Sequence, residues 1–98
     1  MTAFSIVRFR VKPGHDQAFL DAHRNLAAEW PGLRRVNIIK TGDQNYCLIA
    51  EWPHAGAIEG ARPRMIATLN SFRHSLEDLG GGLGVTDAVS GPVAFELP

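Results

Sequence analysis

The feature that most constrains this chain is the order in which its apolar residues change period. Ala3 to Val11, AFSIVRFRV, alternates and is rich in β-branched and aromatic residues, which predicts a strand. Pro13 and Gly14 break it. From His15 to Trp30 the spacing changes. Phe19, Ala22, Leu26 and Trp30 recur at three- and four-residue steps, one face of a helix that Pro31–Gly32 ends. Leu33 to Thr41 and Tyr46 to Trp52 read as two more strands, joined by the turn residues GDQN as a hairpin. After Pro53 the period is helical again, in two pieces. A short piece covers Ala55 to Glu59. Gly60 and Pro63 interrupt it, and a longer helix starts near Arg62 or Pro63 and carries Met65, Leu69, Phe72, Leu76 and Leu79. Gly91 to Leu97 reads as the fourth strand.

The order β-α-β-β-α-β is the split βαβ arrangement. It predicts an α+β, ferredoxin-like single domain over residues 1–98. A four-stranded antiparallel sheet carries both helices on one face, and the first strand lies between the third and fourth. The first strand is apolar on both sides, with Val7, Phe9 and Val11 on one and Phe4 and Ile6 on the other, and Leu48 is followed by Ile49 in the third. Strands buried on both faces read this way. With 98 residues the chain has no further element to cover the second face, so the expected cover is a second copy, sheet against sheet, in a homodimer.

Composition narrows the partners. Ten basic and ten acidic residues leave no net charge, which argues against nucleic acid. The single cysteine, Cys47, and four scattered histidines offer no metal-ligand spacing. No run approaches the roughly 20 apolar residues of a membrane span. The opening MTAFSIVRFRVKPG interleaves its apolar residues with Arg8 and Arg10, unlike a signal peptide, so the expected location is cytoplasmic. The glycine-rich stretch LEDLGGGLGVTDAVSG suggests a phosphate cradle, but such a loop opens a helix and this one follows one. Its expected role is a helix stop, with Gly80 as a left-handed cap, and no cofactor is expected.

VRFRVKPGHDQAF, the Glu51–Trp52 pair closing the third strand, the interrupted helix after it and LGVTDAVSGPV resemble the antibiotic biosynthesis monooxygenase-like family over nearly the whole chain. The resemblance implies a dimeric α+β barrel. Its members include cofactor-independent quinone-forming oxygenases and haem-degrading enzymes, and many have no established activity. The haem-degrading members use an Asn on strand one with a Trp and a His. Strand one here offers Arg8 and Arg10 and no Asn, which argues against haem.

Candidate site residues follow from the helical wheels. His23 falls about 40° from Phe19, inside the apolar stripe, where its imidazole serves either as a general base or hydrogen-bond donor to a ligand between helix and sheet, or as a core-edge group bonded to a backbone carbonyl. Trp30 and Trp52 are expected as core or pocket-wall residues. Arg62, Ile66 and Arg73 flank the second stripe, and the two arginines either hold an anionic group or extend to water. His74 lies opposite that stripe and should be solvated. Arg8 and Arg10 share a sheet face and are expected to cluster with Glu51 and Glu96. Two functional classes stay open. One is a cofactor-independent monooxygenase, an oxidoreductase acting on a small aromatic or phenolic substrate between sheet and helices. The other is a non-catalytic dimeric protein that binds a small hydrophobic or anionic molecule.

Overall fold

A computed structural model describes residues 1–98. The strands are β1 (Ala3–Arg10), β2 (Arg35–Gly42), β3 (Asn45–Trp52) and β4 (Asp87–Pro92), and the helices are α1 (Asp16–Asp21), α2 (Leu26–Glu29) and α3 (Ala55–Phe72). The sheet order is β2-β3-β1-β4, all antiparallel, so β1 lies between β3 and β4 as the sequence predicts.

Alternation sorts the two sheet faces. Ala3, Ser5, Phe9 and Val11 are buried beneath the helices, as are Tyr46, Leu48, Ala50 and Trp52 of β3. The register places Ala3 opposite Trp52, Val7 opposite Leu48 and Phe9 opposite Tyr46, so these side chains form one contiguous floor. Phe19, Leu26, Ile58 and Phe72 close it from the helices. Each fully buried side chain of this size contributes about 1.5–3 kcal/mol. Phe9 is the hub, with its ring 5.2 Å from Phe19 and 5.7 Å from Phe72. The outer sheet face carries Phe4, Ile6 and Ile49, half-buried, with Ile39 and Val89 45% and 64% exposed.

Several expectations need correction. The helix from His15 to Trp30 is two short helices. In a continuous helix the Phe19 carbonyl would accept from the His23 backbone N–H. Here it accepts from the His23 ring at 2.8 Å, and the backbone tightens to three-residue steps, with His23 N–H bonded to Leu20 and Arg24 N–H to Asp21.

The second helix, by contrast, is not interrupted. It runs unbroken through Gly60 and Pro63. Pro63 removes one intrahelical bond. Burial of Ile58 and Ala61 before it and Thr68 and Phe72 after it, on one face, outweighs that loss.

The helix also stops sooner than its stripe suggests. It ends at Phe72, and a single 3₁₀ turn (Arg73–Ser75) leads to Leu76, which is extended and bridges to Val11. β4 pairs β1 only as far as Arg8. The backbone of residues 10–12 is therefore free on that side, and Ser75 and Glu77 take it up with two 2.8 Å bonds. Gly80 is left-handed (φ 82°) but caps no helix; its N–H donates to the Asp78 carboxylate in a turn.

The last strand lies at Asp87–Pro92 and not at Gly91–Leu97. Asp87 consequently pairs with Arg8, while Glu51 approaches Arg34 at 4.0 Å and Glu96 lies in an exposed tail. The expected Arg8–Arg10–Glu51–Glu96 cluster does not form. No helix is long and apolar enough to cross a membrane.

Candidate functional site

β4 is an edge strand whose inner side chains are small: Thr86 just before it, then Ala88 and Ser90. α3 spans toward it from above. Because these side chains do not fill the gap, a cavity of about 230 Å³ remains between helix and sheet. Its floor is Val7, Phe9 and Leu48, and its roof is Ile58, Met65, Leu69 and Phe72. That lining suits a flat apolar ligand.

His23 lines the cavity at its Phe9–Phe72 end, with its ring 4.8 Å from Phe19 and 4.7 Å from Phe72. A carbonyl oxygen only accepts, so the bond to Phe19 requires the proton on Nδ1. Nε2 then carries a lone pair. It makes no bond within the chain, and no buried side-chain nitrogen or oxygen is left sealed without a partner, so Nε2 is accessible. Burial holds the imidazole below its ordinary pKa of 6.5, against the upward pull of the Phe19 carbonyl. The ring is therefore neutral at pH 7, bonded to a backbone carbonyl through Nδ1 and unbonded at Nε2.

Trp30 forms a cavity wall and donates from Nε1 to Thr68 Oγ1 at 3.0 Å. Thr68 in turn donates to the Arg64 carbonyl. Trp52 stacks behind Trp30, with centroids 6.1 Å apart and planes 15° apart, and is fully buried without reaching the cavity. Arg62 and Ile66 sit on the rim, exposed. Arg73 does not: the helix ends before it, and its guanidinium holds Asn70. His74 is exposed, as the wheel predicts. No group of three or more His, Cys, Asp or Glu side chains comes together.

Sequence reasoning missed the polar lining: Ser5, Thr68, Thr86 and Ser90. Ser5 and Thr68 carried a signal, since each is a hydroxyl on an otherwise apolar buried face. Ser90 carried none once β4 was placed too late in the chain.

The sequence pattern of the antibiotic biosynthesis monooxygenase family matches residues 2–63. The fold recurs in solved structures. SnoaB, a cofactor-independent oxygenase from Streptomyces nogalater, is 20% identical, with a TM-score of 0.74 over 99% of this chain and 97% of that one. Rv0793 from Mycobacterium tuberculosis is 16% identical, with a TM-score of 0.72 over the whole of both chains. A conserved protein from Methanosarcina mazei is 12% identical, with a TM-score of 0.75 over 94% of this chain and 92% of that one. At such identities the likeness speaks for the fold. No protein of curated function matches the chain in sequence. Because the family pattern spans most of the chain, from β1 well into α3, this chain belongs to the antibiotic biosynthesis monooxygenase family.

Proposed function

We propose that the protein is a cofactor-independent monooxygenase for a small aromatic, phenolic substrate bound between α3 and the sheet. The observation that carries this reading is the unbonded Nε2 of a neutral His23 lining a largely apolar cavity. A general base needs a lone pair within reach of the proton it takes. The unbonded Nε2 of His23 offers one. A phenol that donates to Nε2 loses its proton there and becomes electron-rich enough to reduce O₂. The substrate supplies all the electrons: the ring C–H para to the phenol and the phenol O–H give up their two hydrogens, and with O₂ they yield a para-quinone plus water. The family and the fold shared with SnoaB support this class of chemistry. The cavity volume, below the roughly 300 Å³ of drug-sized sites, favours one or two fused rings.

The reading includes a homodimer. Phe4, Ile6, Ile49 and Val89 leave the outer sheet face apolar with no covering element in the chain, which suits a second copy packed sheet to sheet.

The test is oxygen uptake with 1-naphthol and 1,5-naphthalenediol as probes, each corrected for spontaneous oxidation. The wild type should accelerate at least one. His23→Gln should lose about 10²-fold or more of that rate while still binding the probe. Saturable binding with no acceleration of any probe would favour the binding-protein reading instead, and an undiminished His23→Gln would remove His23 from the chemistry.

A further inference from the structure

The cavity has a second polar end, and it lies far from His23. Ser5 and Phe9 are four residues apart on β1, about 13 Å of strand at about 3.3 Å per residue. His23 and Phe72 pack at the Phe9 end. α3 runs the same way as β1, since its last residue meets Phe9 and its first follows β3, whose Trp52 is opposite Ala3. Arg62 precedes Phe72 by about 15 Å of helix at about 1.5 Å per residue, which puts it at the Ser5 end.

Three groups there have unused donors. Ser5 is 3% exposed and lines the cavity; its Oγ accepts from Trp52 Nε1 at 3.0 Å, and its own proton has no acceptor in the chain. Ser90 is its register partner on β4, so both hydroxyls project from the same face of the sheet. The Ser90 side chain makes no hydrogen bond. The Arg62 guanidinium on the rim has no carboxylate or carbonyl partner in the chain, and unlike those of Arg35 and Arg64, which also lack one, it lines the cavity. A buried hydroxyl with a free proton, a second hydroxyl beside it and an unpaired guanidinium toward the same end form a donor-rich cluster. Its complement is an acceptor-rich, anionic group.

We infer that the cavity reads its substrate at both ends: a phenolic hydroxyl at His23 and a carboxylate or comparable oxyanion at Ser5, Ser90 and Arg62. The substrate class is an elongated, two-ring hydroxyaromatic acid whose hydroxyl and acid group stand at opposite corners. Ser5 and Ser90 are specificity-determining residues that grip the acid, and Arg62 supplies the charge. This rests on the cavity being the substrate site, but the test separates the two.

The experiment is calorimetric titration with 6-hydroxy-2-naphthoate and with 2-naphthol, which lacks the acid. The wild type should bind the acid about tenfold more tightly at low salt, and the advantage should shrink as salt rises. Arg62→Gln should erase most of that advantage, and Ser90→Ala should reduce it about two- to threefold. Both residues are exposed, so both variants should fold. Ser5→Ala leaves the Trp52 N–H without its acceptor and is read only alongside them. His23→Gln should weaken both ligands equally and keep the preference. Equal affinity of the two ligands in the wild type, or a preference that survives Arg62→Gln, overturns the second end while leaving the cavity as the site. Failure of both ligands to bind overturns the cavity reading and this inference together.

Discussion

His23 donates from Nδ1 to the carbonyl oxygen of Phe19 at 2.8 Å, four residues back on its own chain. That contact does two things. It takes the acceptor that a continuous helix would use at this position, so the helix breaks there. It also fixes the tautomer, so the nitrogen left over is a bare acceptor on a residue that lines the cavity. The local backbone and the candidate chemistry share one cause.

This arrangement makes stability depend on pH. The folded-state pKa of His23 lies below its unfolded value, so the unfolded chain binds more protons in between. His23's contribution is fully present above the unfolded value of about 6.5 and is lost as pH falls through and below it. Urea melts from pH 8 to pH 5 should show stability falling, by no more than about 1.4 kcal/mol per pH unit from this one proton. His23→Gln should flatten that part of the curve. An identical slope in the variant would assign the effect elsewhere.

Two glycines should respond oppositely to alanine. Gly32 is left-handed (φ 87°), and an added Cβ would lie 3.3 Å from the Ala57 Cβ, so Gly32→Ala should cost about 1–3 kcal/mol. Gly60 lies inside α3 with open space beside it, so Gly60→Ala should stabilise by about 0.5–1 kcal/mol. Denaturation midpoints of the two variants check the signs.

Tyr46 is the only tyrosine in the chain, so its titration can be followed by absorbance without interference from another. Its hydroxyl donates to the Asp16 carboxylate, and that bond, with burial and the carboxylate's charge, raises its pKa above the ordinary 10. The stability it contributes is present below pH 10 and is lost as pH rises through the folded value. Ionisation should therefore begin later than in a free tyrosine, and Asp16→Asn should move it back down. A midpoint unchanged by Asp16→Asn would contradict the assignment.

How much of this was legible in the sequence varies by element. The alternating runs of β1 and β3 are core strands, and period alone identifies them. Pro63 misled because local propensity was read without the face that Ile58, Ala61, Thr68 and Phe72 share. β4 was placed too late because its inner residues line a cavity, so DAVSGP lacks the apolar alternation of a core strand. Once that strand moved, Arg8 met Asp87 and not Glu96. The helical wheel puts His23, Arg62 and Ile66 on or beside the apolar stripes, and all three line the cavity together with Trp30. Arg73 does not, because the wheel assumes a helix that ends at Phe72. Ser5 and Ser90 could be paired only through the register.

The outer sheet face gives a direct assay for self-association. Ile6 sits at its centre on β1, opposite Ile49 on β3 and Val89 on β4. Native mass spectrometry should find a dimer for the wild type and a monomer for Ile6→Arg, since a charge there would be buried without a partner. A monomeric wild type would contradict the sheet-to-sheet reading.

The central claim is that His23 presents a bare Nε2 to a ligand in the cavity. Nitrogen-15 NMR of the labelled imidazole tests it most directly. At pH 7, Nδ1 should be protonated and Nε2 unprotonated, with only the Nε2 resonance moving strongly toward the protonated range when 6-hydroxy-2-naphthoate is added. A proton on Nε2 in the free protein, or an Nε2 resonance indifferent to a ligand that binds, would contradict it.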